Sequence, residues 1–340
     1  MRPIRKNLVL TFLITTSWLA SAIFSNTLVA QSLLAGEREA TITAIDGVVA
    51  EDARWSLVWA DFVTADGIVG TADGGVLFAQ EQTDKIIKLG TDGRQFTFLE
   101  NTNGAGAVSI DAAGRVFAVQ RTCTEPLNAE LAGCNELTRV MMLAPETRLL
   151  ANSFANGAPL GRLNDLIADG NGGAFFTSGG AFHVNAEGEV SVVADQDIAS
   201  NGIMLNRAGN VLYVTNNTEI LAFDVETDGS TFNRRVFANL NGDRGGDGMA
   251  IDAEGRVYVT ASTGVHVLSE QGEYLGLIPT PRTPITLAFA GPEKNILYVP
   301  QMGAVGPDGK AWVTPEGVRN TAMTIYTLPM LTSGFAARPK

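Results

Sequence analysis

A chain of 340 residues with 45% hydrophobic and 18% charged residues is long enough to bury about 75% of its unfolded surface, which excludes a disordered chain. Its formal charge of -12, with no run of Lys and Arg, argues against nucleic acid or an anionic membrane surface as a partner. Thirty-seven glycines and 7% aromatics suit many short strands and tight turns better than a helical bundle.

The first thirty residues read as an export leader. Arg2, Arg5 and Lys6 precede an uncharged, mostly apolar stretch from Leu8 to Phe24, and small-residue cleavage motifs end at Ala22 and at Ala30. The stretch is also long enough for an uncleaved anchor, whereas no Cys lies near either site for lipid attachment. Cleavage removes three basic residues and no acid, taking the charge from -12 to -15. Residues 1–30 are therefore expected to be a signal peptide, 31–50 an N-terminal extension and 51–335 a single domain. The expected product is periplasmic or extracellular, without stable membrane association.

From residue 71 onward one phrase recurs six times: "TADGGVLFAQ", "DAAGRVFAVQ", "DGNGGAFFTS", "NRAGNVLYVT", "DAEGRVYVTA" and "PEKNILYVP". Each is a turn rich in Asp, Gly and Asn followed by an apolar strand, as a hairpin requires. The strands begin at Val76, Val116, Ala174, Val211, Val257 and Ile296, at intervals of 40, 58, 37, 46 and 39 residues. A second strand follows within about ten residues in each case, and most of these end in another turn. Intervals of this size fit four-stranded propeller blades, and six units unable to cover their own faces are stabilised by closing into a ring. The fold expected is an all-β six-bladed β-propeller. Ring closure should pair "ATITAI" or "WSLVWAD" near the start with "TIYTLP" near the end.

The longest interval, between the second and third units, holds the only cysteines, Cys123 and Cys134. In an exported chain they read as one disulfide closing a surface loop, worth about 2 to 3 kcal/mol, with two free thiols as the alternative. That interval is also the candidate for a lid. His183 and His266 lie within apolar strands and are expected to pack between blades.

Ten residues before each repeated strand lie Asp66, Gly106, Asn164, Asn201, Asp247 and Thr286. In a propeller this segment is the innermost strand, so equivalent side chains point toward the axis. Asp-Gly and Asn-Gly pairs are ordinarily turn residues. Turn chemistry does not, however, demand that Asp66, Asn164, Asn201 and Asp247 share one register. Four oxygen-bearing side chains converging on one point are what a hard cation such as Ca²⁺ takes. Glu81, Asn103, Arg121 and Arg244 are further candidates to line the channel mouth, none marked out by a motif.

Here the chain resembles the SMP-30/gluconolactonase family, also called the regucalcin family, of six-bladed propellers, from about residue 60 to residue 330. The likeness rests on "DGIVGTADGGVLFAQEQTDKIIKL", "RLNDLIADGNGGAFFTS", "SNGIMLNRAGNVLYVTN", "GDGMAIDAEGRVYVTASTGVHVLSEQGEYLGLIPTP" and "LAFAGPEKNILYV". It implies metal ligation by Asp66, Asn201 and Asp247, and substrate contacts from Arg162 and Asn164. The family usually has Glu where this chain has Asp66, and prolines where it has Ile68, Ser200 and Gly246. The activity implied is opening of a sugar-type lactone by a divalent metal, Ca²⁺ foremost and Zn²⁺, Mg²⁺ or Mn²⁺ as alternatives. Such an ion polarises the carbonyl and activates water, with Asp247 doubling as proton acceptor. A non-catalytic envelope propeller with a structural Ca²⁺ and a hydrolase of other activated esters are the rival readings.

Overall fold

The computed structural model describes residues 33–338 except 35, 62, 122–137, 196, 304–312, 315–316 and 319–321. The leader and the Cys123–Cys134 pairing therefore lie outside the described residues, as does the 122–137 part of the lid interval, while Arg139–Ala144 and Arg148–Ala151 of that interval are the outer two strands of blade two. Six four-stranded antiparallel sheets form the body. The repeated strands begin where the sequence phrase places them, at Val76–Gln80, Val116–Gln120, Ala174–Thr177, Val211–Asn216, Val257–Ala261 and Ile296–Met302.

One blade illustrates how sequence becomes layer. Its inner strand, Asp66–Gly70, is joined to Val76–Gln80 by a turn in which Thr71 N–H bonds Gly75 O at 2.8 Å and Gly74 holds φ +86°. Val76–Gln80 is buried at all five positions because neighbouring blades cover both of its faces. Lys85–Leu89 is mostly buried, and the outermost strand, Gln95–Glu100, is largely exposed. Sidedness thus fades from axis to rim, so the continuous apolar runs mark the second strands and the polar ones the rim.

The inner strands touch in cyclic order: Asp66–Gly70, Ala105–Ile110, Leu166–Ala168, Ile203–Leu205, Met249–Ile251, Ala288–Ala290, and back to Asp66–Gly70. This is a closed six-bladed β-propeller. Closure comes from Ser56–Ala60, which pairs antiparallel with Ala322–Pro329 as the outermost strand of the sixth blade. "WSLVWAD" is thus the closing strand. Trp59 anchors it, 7% exposed, with its indole N–H 2.7 Å from Gln95 Oε1 and its ring edge-on to Phe78 at 5.0 Å.

The segment ahead of the closing strand packs on the body. Ile42, Ile45, Val48, Val49 and Ala53 join the core cluster of blades three to six, and Leu331 N–H bonds Val48 O at 2.9 Å. His183 and His266 are buried in the third strands of blades three and five, each against a carboxylate: Asp169 at 2.9 Å and Asp243 at 3.1 Å. Where a side chain on Gly229 would begin, its Cβ would stand 2.1 Å from the His183 ring, so this imidazole fills the seam between blades three and four. No helix among the described residues is long and apolar enough to cross a membrane.

Candidate active site in the central channel

Each register residue sits within two residues of the start of an inner strand, where it is held by the strand beside it. In blades three to five the holder is a buried threonine. Asn164 N–H bonds Thr177 O at 2.9 Å, and the Thr177 hydroxyl accepts from Asp165 N–H and donates to Asn201 O at 2.6 Å. Thr215 Oγ1 accepts from the N–H groups of Asn201 and Gly202 at 3.1 and 2.8 Å. Asp247 N–H bonds Thr260 O at 2.9 Å, while the Thr260 hydroxyl reaches Gly248 O and, in the next blade, Ile285 O. These backbones are pinned before any ligand arrives.

The glycines of "SNGI" and "GDGM" serve close approach rather than a turn. A Cβ on Gly202 would lie 2.0 Å from Asp247 O, and one on Gly248 would lie 2.5 Å from Thr286 Oγ1. Neither has the positive φ of a turn glycine. The Asx-Gly pairs therefore let adjacent inner strands meet at the axis while the Asx side chain faces the channel.

The structure brings the predicted residues together. Asp66, Asn164, Asp247 and Thr286 line one cavity with Gly67, Ala107, Asp165, Gly248 and Arg121. Asn201 joins through its side-chain oxygen, which accepts from Asn164 Nδ2. Arg162 is exposed, two residues ahead of Asn164. The cavity is about 10 Å³, room for one water and far too small for a sugar ring.

Arg121 occupies the centre of this group. It follows the second strand of blade two, and its guanidinium crosses to blades one and three. Nη1 donates to Asp66 Oδ2 at 2.6 Å and to Glu81 Oε1, and Nη2 donates to Asn164 O and to Asn164 Oδ1 at 3.1 Å. Burial alone lowers its pKa, but Glu81 and then Asp66 more than offset this and hold it well above the usual arginine value. It is a permanent cation. Glu81 and Arg121 are what sequence reasoning left unweighted, although a signal exists: each stands five residues after the first strand residue of its blade, Val76 or Val116, and they carry opposite charge.

Whether these residues fit a divalent ion can be tested on their pairing. Asp66 has one carboxylate oxygen on Arg121 and the other on Gly67 N–H at 2.9 Å. The Asn201 side-chain oxygen is taken by Asn164. A divalent ion about 4 Å from a guanidinium is repelled by roughly 8 kcal/mol at an effective dielectric of about 20, which cancels the attraction of one carboxylate at the same distance. With Arg121 in place, the oxygen donors named from the sequence do not fit a divalent ion.

The profile of the SMP-30/gluconolactonase/LRE-like region matches residues 99–302, well over half of the chain. This chain belongs to that family. It is 25% identical over 249 residues to a regucalcin of Xenopus laevis, covering 67% of this chain and 79% of the relative. It is 24% identical over 296 residues to a gluconolactonase of Zymomonas mobilis, covering 74% and 77%. A solved gluconolactonase of Xanthomonas campestris superposes with a TM-score of 0.65 at 20% identity, over 88% of this chain and 98% of that one, which bears on the fold alone. In this family member the channel carries a guanidinium among its carboxylates and amides.

Proposed function

We propose that this chain hydrolyses a small hydroxylated lactone at the mouth of the channel. The observation that carries the reading is the convergence of Asp66, Asn164, Asp247 and Thr286 on one water-sized cavity, in a family that includes gluconolactonases. The cavity water is the nucleophile. Its oxygen bonds to the carbonyl carbon as Asp247 accepts its proton. Collapse of the tetrahedral intermediate breaks the ring C–O bond, and the proton returns from Asp247 to the leaving alkoxide, giving a hydroxy acid. The sugar ring lies across the mouth, outside the cavity, where Arg162 offers its donor fork to ring oxygens.

The finer expectation from the sequence is a Ca²⁺, Zn²⁺, Mg²⁺ or Mn²⁺ on Asp66, Asn201 and Asp247 that activates the water. It requires Arg121 to leave the channel, and no step above passes through an ion. The same proposal takes residues 1–30 as an export leader and a lactone outside the cytoplasm as substrate. The test is a pH-indicator assay of aldonolactone opening by the full chain and by Asp247→Asn. Turnover by the parent, reduced by about 10²-fold or more in the variant with unchanged thermal unfolding, is expected. Failure of the parent to open any lactone, with or without added divalent ions, would remove the lactonase reading.

A further inference from the structure

We propose that Arg121 is the resident cation of the channel, standing in for a divalent ion, and that Gly106 is what lets it stand there. The six-fold register has one position with no side chain, Gly106 in blade two. A Cβ built there would lie 2.3 Å from Arg121 Nε, 2.4 Å from its Cζ and 2.5 Å from Glu81 Oε1. Gly106 has no positive φ, so the glycine answers a need for space and not for backbone conformation. The guanidinium passes through that gap into the channel, from the one blade that sends no register side chain inward, and reaches blades one and three. There it meets one of the named metal ligands, the carboxylate of Asp66, together with the backbone and side-chain oxygens of Asn164. Glu81 adds a second carboxylate beside Asp66. Planar, permanently charged and forked, guanidinium can bridge all three residues at once, which a lysine ammonium would do with less geometric fit.

Arg121 touches no reacting atom and acts as a positioning residue, fixing Asp66, Glu81 and Asn164 and supplying the positive charge of the site. The assignment rests on the reading that this channel is the active site, but its test does not need turnover. Ca²⁺ is titrated calorimetrically, and in thermal unfolding, into the full chain freed of metal by chelator, and into Arg121→Met. The parent is expected to show no saturable Ca²⁺ binding and no Ca²⁺-dependent shift in Tm. Arg121→Met, which leaves Asp66, Glu81, Asn201 and Asp247 without the guanidinium, is expected to gain one site, with Kd on the order of 10⁻⁴ to 10⁻³ M.

Stoichiometric Ca²⁺ binding by the parent would overturn the assignment, as would a folded Arg121→Met that gains none. Should Arg121→Met not fold, Gly106→Ala pushes the guanidinium aside without deleting it, and the same gain of Ca²⁺ binding is required of it. A parent that opens no lactone either metal-free or with added divalent ions would sink the hydrolase reading alone. A lactonase stripped of activity by chelator and restored by Ca²⁺ would sink the role of Arg121 alone.

Discussion

Arg121 joins groups from blades one and three to its own blade, and the cost of breaking that knot follows from burial. Its side chain is 8% exposed and that of Glu81 7%. Glu81→Gln removes one of the two carboxylates on Arg121 and leaves Asp66 paired with it, so it should destabilise the fold by about 1–3 kcal/mol in urea unfolding. Asp243 offers a pH test at the same scale. Burial tends to raise its pKa, but Ser262, Thr263 and His266 bond the carboxylate and hold it well below the ordinary value. A folded-state pKa below the unfolded one means stability present above about pH 4 and lost as pH falls through the folded value. Asp243→Asn should therefore cost roughly 1–3 kcal/mol at pH 7, with the gap to the parent closing in acid, read as urea midpoints across pH. Asp66, Asn164, Asn201 and Asp247 were legible in the sequence because they share a register with the strands. Arg121 could be named only as one candidate among four, because its matched spacing with Glu81 does not show that the guanidinium reaches across two seams.

At the level of elements, the inner strands owe their placement to the threonines behind them. Thr215 accepts two backbone N–H groups with one hydroxyl, at Asn201 and Gly202. Thr215→Val keeps the shape and removes the acceptor, so two buried amides lose their partner at a cost of about 1–3 kcal/mol. Lactone turnover should fall as well, since Asn201 and its partner Asn164 are positioned through that hydroxyl. The sequence phrase gave the strand starts at all six repeats because alternation, turn glycines and apolar runs are local properties. It did not distinguish an Asx-Gly turn from an Asx-Gly strand start. That difference lies in the neighbouring blade, whose backbone passes within 2.0 Å of where a Cβ on Gly202 would be.

For the molecule as a whole, closure is the stabilising event. Without Ser56–Ala60 the sixth blade keeps three strands and an open edge along Ala322–Pro329. Truncation through Ala60 should give an aggregating or strongly destabilised chain. Trp59→Ala, which deletes a buried indole and its bond to Gln95, should cost about 3–5 kcal/mol, measured by urea unfolding. Ahead of the closing strand, Val48 and Val49 are fully buried against the body.

By itself the sequence determined the blade count, the all-β class, the strand starts and the ring of Asp66, Asn164, Asn201 and Asp247, because each is written in periodicity along the chain. Only the tertiary structure decided which early strand closes the ring and what occupies its centre. Both are contacts between residues far apart in sequence. The space that admits Arg121 is the side chain Gly106 lacks, and that vacancy acquires meaning only once six inner strands have been brought around one axis.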